Sequence, residues 1–189
     1  GGAFQATAAP SDDWFSPSAV RLADGRVLIM GHGNSPIAAE IYDPATNNFS
    51  GIASPTGHVW PNGKATLLAS GKVLYTGGLD PADPTETAET YVFDPSTDTL
   101  IVGPPLPWAT QSHTATRLHD GRVLIAGGRG HGGVLDQTAL YDPASNSFTA
   151  GPDLLVPREF HAAHLLHDGR VLIAAGANVT VNPEIGRAA

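Results

Sequence analysis

The residues best suited to chemistry in this chain are aromatic rings and imidazoles at recurring places. Trp14, Trp60 and Trp108 are all of its tryptophans, and each stands a few residues ahead of a β-rich run. His32, His58, His113, His131 and His161 are five of the eight histidines, and they share these segments with Arg129 and Arg158. Rings with a few polar groups at a concave mouth make a ligand or partner site, and sugars and peptides both suit such a surface. A histidine in a loop is more often solvated or hydrogen-bonded than functional, so the cluster carries the reading rather than any one ring.

Metal and nucleophile chemistry have less behind them. No H-x-E or H-x-H pair occurs, and no spacing marks a known metal site. His161 and His164 are three apart, which on a strand sends them to opposite faces. Asp80 and Asp83 lie in the acidic loop LDPADPTETAET, whose oxygens suit calcium but which reads as a solvated loop. There is no G-x-S-x-G elbow, phosphate loop or dinucleotide fingerprint. No catalytic set, no metal site and no cofactor are therefore expected. His119 and His167 sit beside turns and read as surface; His164 lies within a strand and reads as core or channel lining.

These residues need a framework, and the framework is repetitive. The segments SAVRLADGRVLIMGH, KATLLASGKVLYTGG, HTATRLHDGRVLIAGG and HAAHLLHDGRVLIAAG align on a leucine and a turn glycine. The glycines are Gly25, Gly71, Gly121 and Gly169, spaced 46, 50 and 48 residues apart. A repeat of this period signals a stacked architecture. Asp-Gly between two β-rich runs predicts a two-residue type I′ hairpin, with Ser70-Gly71 a weaker form. First strands end near Leu22, Leu68, Leu118 and Leu166; second strands begin at Val27, Val73, Val123 and Val171. The second strands VLIMG, VLYTGG, VLIAGG and VLIAAG are continuously apolar, as strands covered on both faces should be. Ala19, Ala65, Ala115 and Ala163 share one register, which suggests crowding near an axis. Third strands AAEIYDP, ETYVFDP and TALYDP stop at Asp-Pro, where proline cannot donate to a ladder. Phe49, Leu100 and Phe148 then open short fourth strands.

Bulk composition agrees. The chain has 189 residues, no cysteine, 22 glycines and 16 prolines. That suits one all-β domain with many tight turns and excludes disulfide and thiol chemistry. A formal net charge of −8 opposes phosphate backbones, so nucleic acid is not an expected partner. No apolar run approaches the ~18–20 residues of a membrane helix. The start at Gly1-Gly2 suits a processed secreted protein as well as a partial chain. The sequons Asn48-Phe49-Ser50 and Asn178-Val179-Thr180 are weak signs of the same route.

The hairpin into V-L-I-x-G-G, the tyrosine strand into D-P and the proline-rich loop that follows resemble the kelch repeat. The resemblance covers nearly the whole chain and implies a β-propeller of four-stranded antiparallel blades. On this reading residues 1–189 are one propeller domain or fragment, with repeats at about 17–50, 63–101, 112–149 and 160–189. Residues 1–10, aligned through Phe4, form a fourth-strand segment. If Glu184-Ile185 begins a degenerate third strand, the blades close as a four-bladed ring; otherwise they are part of a larger propeller. In kelch repeats the histidine at the start of the first strand, here His113 and His161, recurs as a scaffold element.

REFHAAHLLHDGRVLIAAG is also distantly similar to a segment of the galactose oxidase and glyoxal oxidase group, in which a tyrosine-histidine pair ligates copper. His161 matches the histidine, but Phe160 stands at the tyrosine and no cysteine is present for the radical cofactor. The expected function is therefore a non-catalytic binding or assembly module, secreted or at the cell surface. A protein or glycan would be held on the loop face by Trp14, His32, His58, Trp60, Trp108, His113, Arg129, His131, Arg158 and His161. The alternatives are a metal-dependent enzyme with a degenerate site, and a structural subunit whose open blade array is covered by a partner chain.

Overall fold

The first three repeats fold as four-stranded antiparallel meanders, in which short turns close the first and the last strand pair and a longer connection joins the second strand to the third. The computed structural model describes residues 9–10, 16–31, 37–80 and 85–178. The first sheet runs in order through β1 (Ser18–Arg21), β2 (Val27–Met30), β3 (Ile37–Asp43) and β4 (Asn48–Ala53). The second runs through β5 (Lys64–Leu67), β6 (Val73–Thr76), β7 (Thr90–Asp94) and β8 (Thr99–Val102). In the third, β9 (Thr114–Arg117) and β10 (Val123–Ala126) precede a small ribbon, β11 (Arg129–Gly130) and β12 (Gly133–Val134). Then β13 (Thr138–Asp142) and β14 (Ser147–Ala150) complete it. The fourth repeat supplies β15 (Ala162–Leu165) and β16 (Val171–Ala174). All pairings are antiparallel. Among the described residues there is no helix, and so none that could cross a membrane. The fourth-strand segment around Phe4 and the tail at Glu184-Ile185 lie outside the described residues.

The second sheet lies between the first and the third, and its alternation divides two cores. Val73, Tyr75, Tyr91 and Phe93 join Leu28, Met30, Ile41 and Val59 on one side. Leu74 and Val92 join Leu68, Val123, Ile125 and Tyr141 on the other. Side chains of period two need apolar residues at every position when both faces are covered, which is why β6 is buried throughout. Each such side chain contributes about 1.5–3 kcal/mol on burial. In β16 the same kind of run is half open, with Leu172 53% exposed. The first strands β1, β5, β9 and β15 lie beside one another, and the aligned alanines fall on them. His164 is exposed on β15 rather than in the core.

The hairpin turns differ from the expected two-residue type I′. Leu22 N–H donates to the Arg26 carbonyl, and Gly25 N–H to that of Leu22, leaving a three-residue loop. Only the glycine has positive φ, at 95° for Gly25 and 86–90° at Gly71, Gly121 and Gly169. This is a type I turn closed by a left-handed glycine. The aspartate serves instead to anchor the arginine that follows. Asp24 accepts from the backbone N–H and side-chain Nε of Arg26. Asp120 and Asp168 hold Arg122 and Arg170 in the same way.

Candidate functional site

The loops opposite the hairpin turns are fixed by main chain first. Past the ends of the last three hairpins the pairing resumes in the same register, with mutual bonds between Gln111 and Arg129 and between Glu159 and Ala177. In the second repeat the position is Pro61, which lacks an N–H, so Leu79 donates to its carbonyl and nothing returns. Neighbouring repeats are then joined by Gly78 N–H to the Thr110 carbonyl and Gly128 N–H to the Arg158 carbonyl. A Cβ on Gly127 would stand 2.5 Å from the Arg158 carbonyl, and one on Gly77 would strike the Thr110 carbonyl. The Gly-Gly signature is thus a demand for close backbone approach between repeats.

A second seam runs through four equivalent residues just ahead of the first strands. Ser16, Asn62, Ser112 and Phe160 all adopt left-handed backbone, with φ of 52°, 63°, 54° and 53°. Asn62 N–H donates to the Ser16 carbonyl, Ser112 to Asn62, and Phe160 to Ser112. Their side chains, with Lys64, His113 and His161, line one cavity of about 230 Å³.

Two of the proposed site histidines sit in this cavity wall. His113 Nε2 shares a 2.8 Å hydrogen bond with Thr76 Oγ1, and His161 Nε2 a 2.9 Å bond with Thr114 Oγ1. The threonines are not equivalent. Thr76 ends β6 opposite Lys64, whereas Thr114 begins β9 opposite Ala126, so the hydroxyl moves across one cross-strand pair. Both rings are buried and both Nδ1 atoms lack a hydrogen-bond partner. Burial, then the charges of Lys64 and His161, pushes the His113 pKa down to about 3. Burial and the Arg158 charge lower that of His161. Burial also lowers Lys64, whose ammonium has no hydrogen bond or ion pair among the described residues.

Outside the cavity a polar web spans three repeats. Asn62 Nδ2 donates to Gln111 Oε1 at 3.1 Å, and Gln111 Nε2 to Glu86 Oε1 at 3.4 Å. Glu86 also meets His131 Nδ1 at 3.3 Å. Arg129 donates Nε and Nη2 to the two Glu159 oxygens at 3.0 and 2.7 Å. That fork holds the guanidinium above its usual range. At the edge His58 stacks on Trp60, ring centroids 4.1 Å apart, with His58 Nε2 3.0 Å from Glu89 Oε2. Glu89 Oε2 also accepts from the Tyr91 hydroxyl.

Of the ten proposed site residues, Trp14 and His32 lie outside the described residues. His131, at the ribbon tip, is exposed, and His58, Trp60 and Arg129 are half-buried. Arg158 is engaged by backbone, donating to the Ala175 and Val156 carbonyls. The Trp108 ring packs against the second core and its Nε1 is buried without a partner. Glu86, Glu89, Asn62, Lys64 and Phe160 belong to these networks, and sequence reasoning does not single them out as site residues. One signal was available: Lys64 is one of only two lysines and stands where the other repeats carry Ser18, Thr114 and Ala162. Among the described residues, no three His, Asp or Glu side chains are placed to hold a metal ion.

No family model matches this chain, and no curated protein matches it. Among solved structures, that of YjhT is similar, with a TM-score of 0.71 at 17% identity. The match covers 91% of this chain and 62% of YjhT. This chain therefore spans less than two thirds of the protein it matches, and at such identity the likeness is one of fold.

Proposed function

We propose that the chain consists of kelch-type β-propeller blades and works as a non-catalytic binding module of a secreted or cell-surface protein. The blades make a four-bladed ring or part of a larger one, and a protein or glycan docks on the loop face. The supporting observation is the web joining Asn62, Gln111, Glu86, His131, Arg129 and Glu159, beside the His58–Trp60 stack. A rim fixed before binding loses little freedom on binding, and a half-buried aromatic beside charged groups is a common anchor.

The full chain is screened against glycans and surface proteins, with Trp60→Ala and His131→Ala beside it. Both substitutions are expected to weaken a captured ligand at least tenfold with the fold intact. Unchanged retention by both variants would remove the loop face from consideration. Trp108 is unsuited to this test because its ring packs against the second core.

A further inference from the structure

The cavity among the four left-handed residues has an uneven charge. Among the described residues its wall holds one ammonium, two imidazoles, three neutral polar side chains, a phenyl ring and no carboxylate. Lys64 is half-buried there with no anionic partner among the described residues, in a chain whose formal net charge is −8. A charge taken partly out of water without a partner is costly, and a bound anion recovers that cost. The Ser16 and Ser112 hydroxyls also line the space and make no side-chain hydrogen bond among the described residues.

We propose that this cavity binds a small organic monocarboxylate, its carboxylate on the Lys64 ammonium and its apolar body against the Phe160 ring. Ligand charge follows from the wall. Burial holds both imidazoles neutral at neutral pH, so the described wall offers a single positive charge. A phosphate dianion would keep an unbalanced charge, whereas a carboxylate is matched. Phe160 is 71% exposed at the cavity rim, so a flat or aliphatic body can cover it. Ser16 and Ser112 are within the same wall to donate to the second carboxylate oxygen. The inference rests on the binding-module reading but names the cavity, not the Trp60 rim.

The chain's two lysines, Lys64 and Lys72, make a direct test. Dimethylation with ¹³C keeps the charge and gives one signal for each lysine beside that of the α-amino terminus, the lysines being assigned with Lys72→Arg. Benzoate is titrated into the full chain, with phosphate at equal ionic strength as comparator. The Lys64 signal is expected to shift saturably at about millimolar benzoate. Its titration should move to higher pH, while Lys72 stays still and phosphate produces at most a tenth of the shift. Calorimetry should lose benzoate binding at least tenfold in Lys64→Met and retain it in Lys64→Arg. A motionless Lys64 signal, equal movement of both lysines, an equal response to phosphate, or full binding by a folded Lys64→Met each overturns the proposal. If Lys64→Met does not fold, the wild-type titration still decides. Trp60→Ala should leave the Lys64 response intact, which separates failure of the cavity from failure of the rim.

Discussion

The Tyr75 side chain fills the space that a side chain at Gly63 would need. A Cβ on Gly63 would lie 2.5–2.6 Å from the Tyr75 ring and hydroxyl, and that hydroxyl donates to the Trp60 carbonyl at 2.6 Å. The third and fourth repeats have a histidine at the position of Gly63 and an isoleucine at that of Tyr75. One repeat has thus moved its bulk from the first strand's entry to the second strand.

Tyr75→Phe leaves the Trp60 carbonyl without its donor and should cost about 1–3 kcal/mol in urea unfolding. Gly63→His alone should destabilise more, because Tyr75 is fully buried and cannot yield. Gly63→His combined with Tyr75→Ile should recover much of that loss. Simple additivity of the two single effects would show that the residues do not share one space.

The second repeat departs from its neighbours at the Asp-Pro turn as well. Tyr42 and Tyr141 donate to Asn47 and Asn146, but the second repeat has Phe93 and Asp98 in these places. Asp98 instead accepts two 2.9 Å bonds from Arg26 of the first repeat's hairpin. Asp98→Asn should cost up to ~1 kcal/mol at low salt and less at high salt, since the pair is partly solvated. Phe93→Tyr in that background should restore stability by rebuilding the Tyr–Asn contact. No salt dependence of the Asp98→Asn loss would rule out this origin.

His113 sets an acid limit. Its folded pKa is about 3, below the 6.5 of the unfolded chain, so the unfolded state binds the extra proton first. The stability tied to keeping the ring neutral is complete above pH 6.5 and falls as pH drops toward 3. Between pH 7 and 4.5 the expected loss is on the order of 2–3 kcal/mol. His161, shifted the same way, adds to it. In His113→Asn the slope of urea stability against pH should be shallower by about one proton. An unchanged slope would mean that the imidazole does not stay neutral in the fold.

Hairpins, meanders and strand stops were legible because apolar period and Asp-Pro chemistry are local. The turn type was not: Asp24-Gly25 suits two loops, and the same three-residue loop forms at Ser70-Gly71, where neither the aspartate nor the arginine is present. Trp108 reads as a loop aromatic in PPLPWAT, yet its ring is held by a core built from the second and third sheets. Such burial depends on residues distant in sequence. Lys64 was visible only as a break in pattern, since its cavity needs residues from four repeats. Trp14 and His32 fall outside the described residues, so their part in the loop face is still an expectation.

The main-chain seam through Ser16, Asn62, Ser112 and Phe160 separates cohesion from the cavity lining. Repeats are fastened there by peptide groups, while the four side chains face a cavity and differ in size and polarity. Exchanging them would change the cavity wall and leave the fastening to the same peptide groups, provided the new residue accepts that backbone. The price is a left-handed conformation at non-glycine residues, which asparagine and serine tolerate better than a bulky ring. Such a set of positions is a natural starting point for varying the cavity wall: a library at four sites, limited to residues that accept a left-handed backbone and keep their N–H.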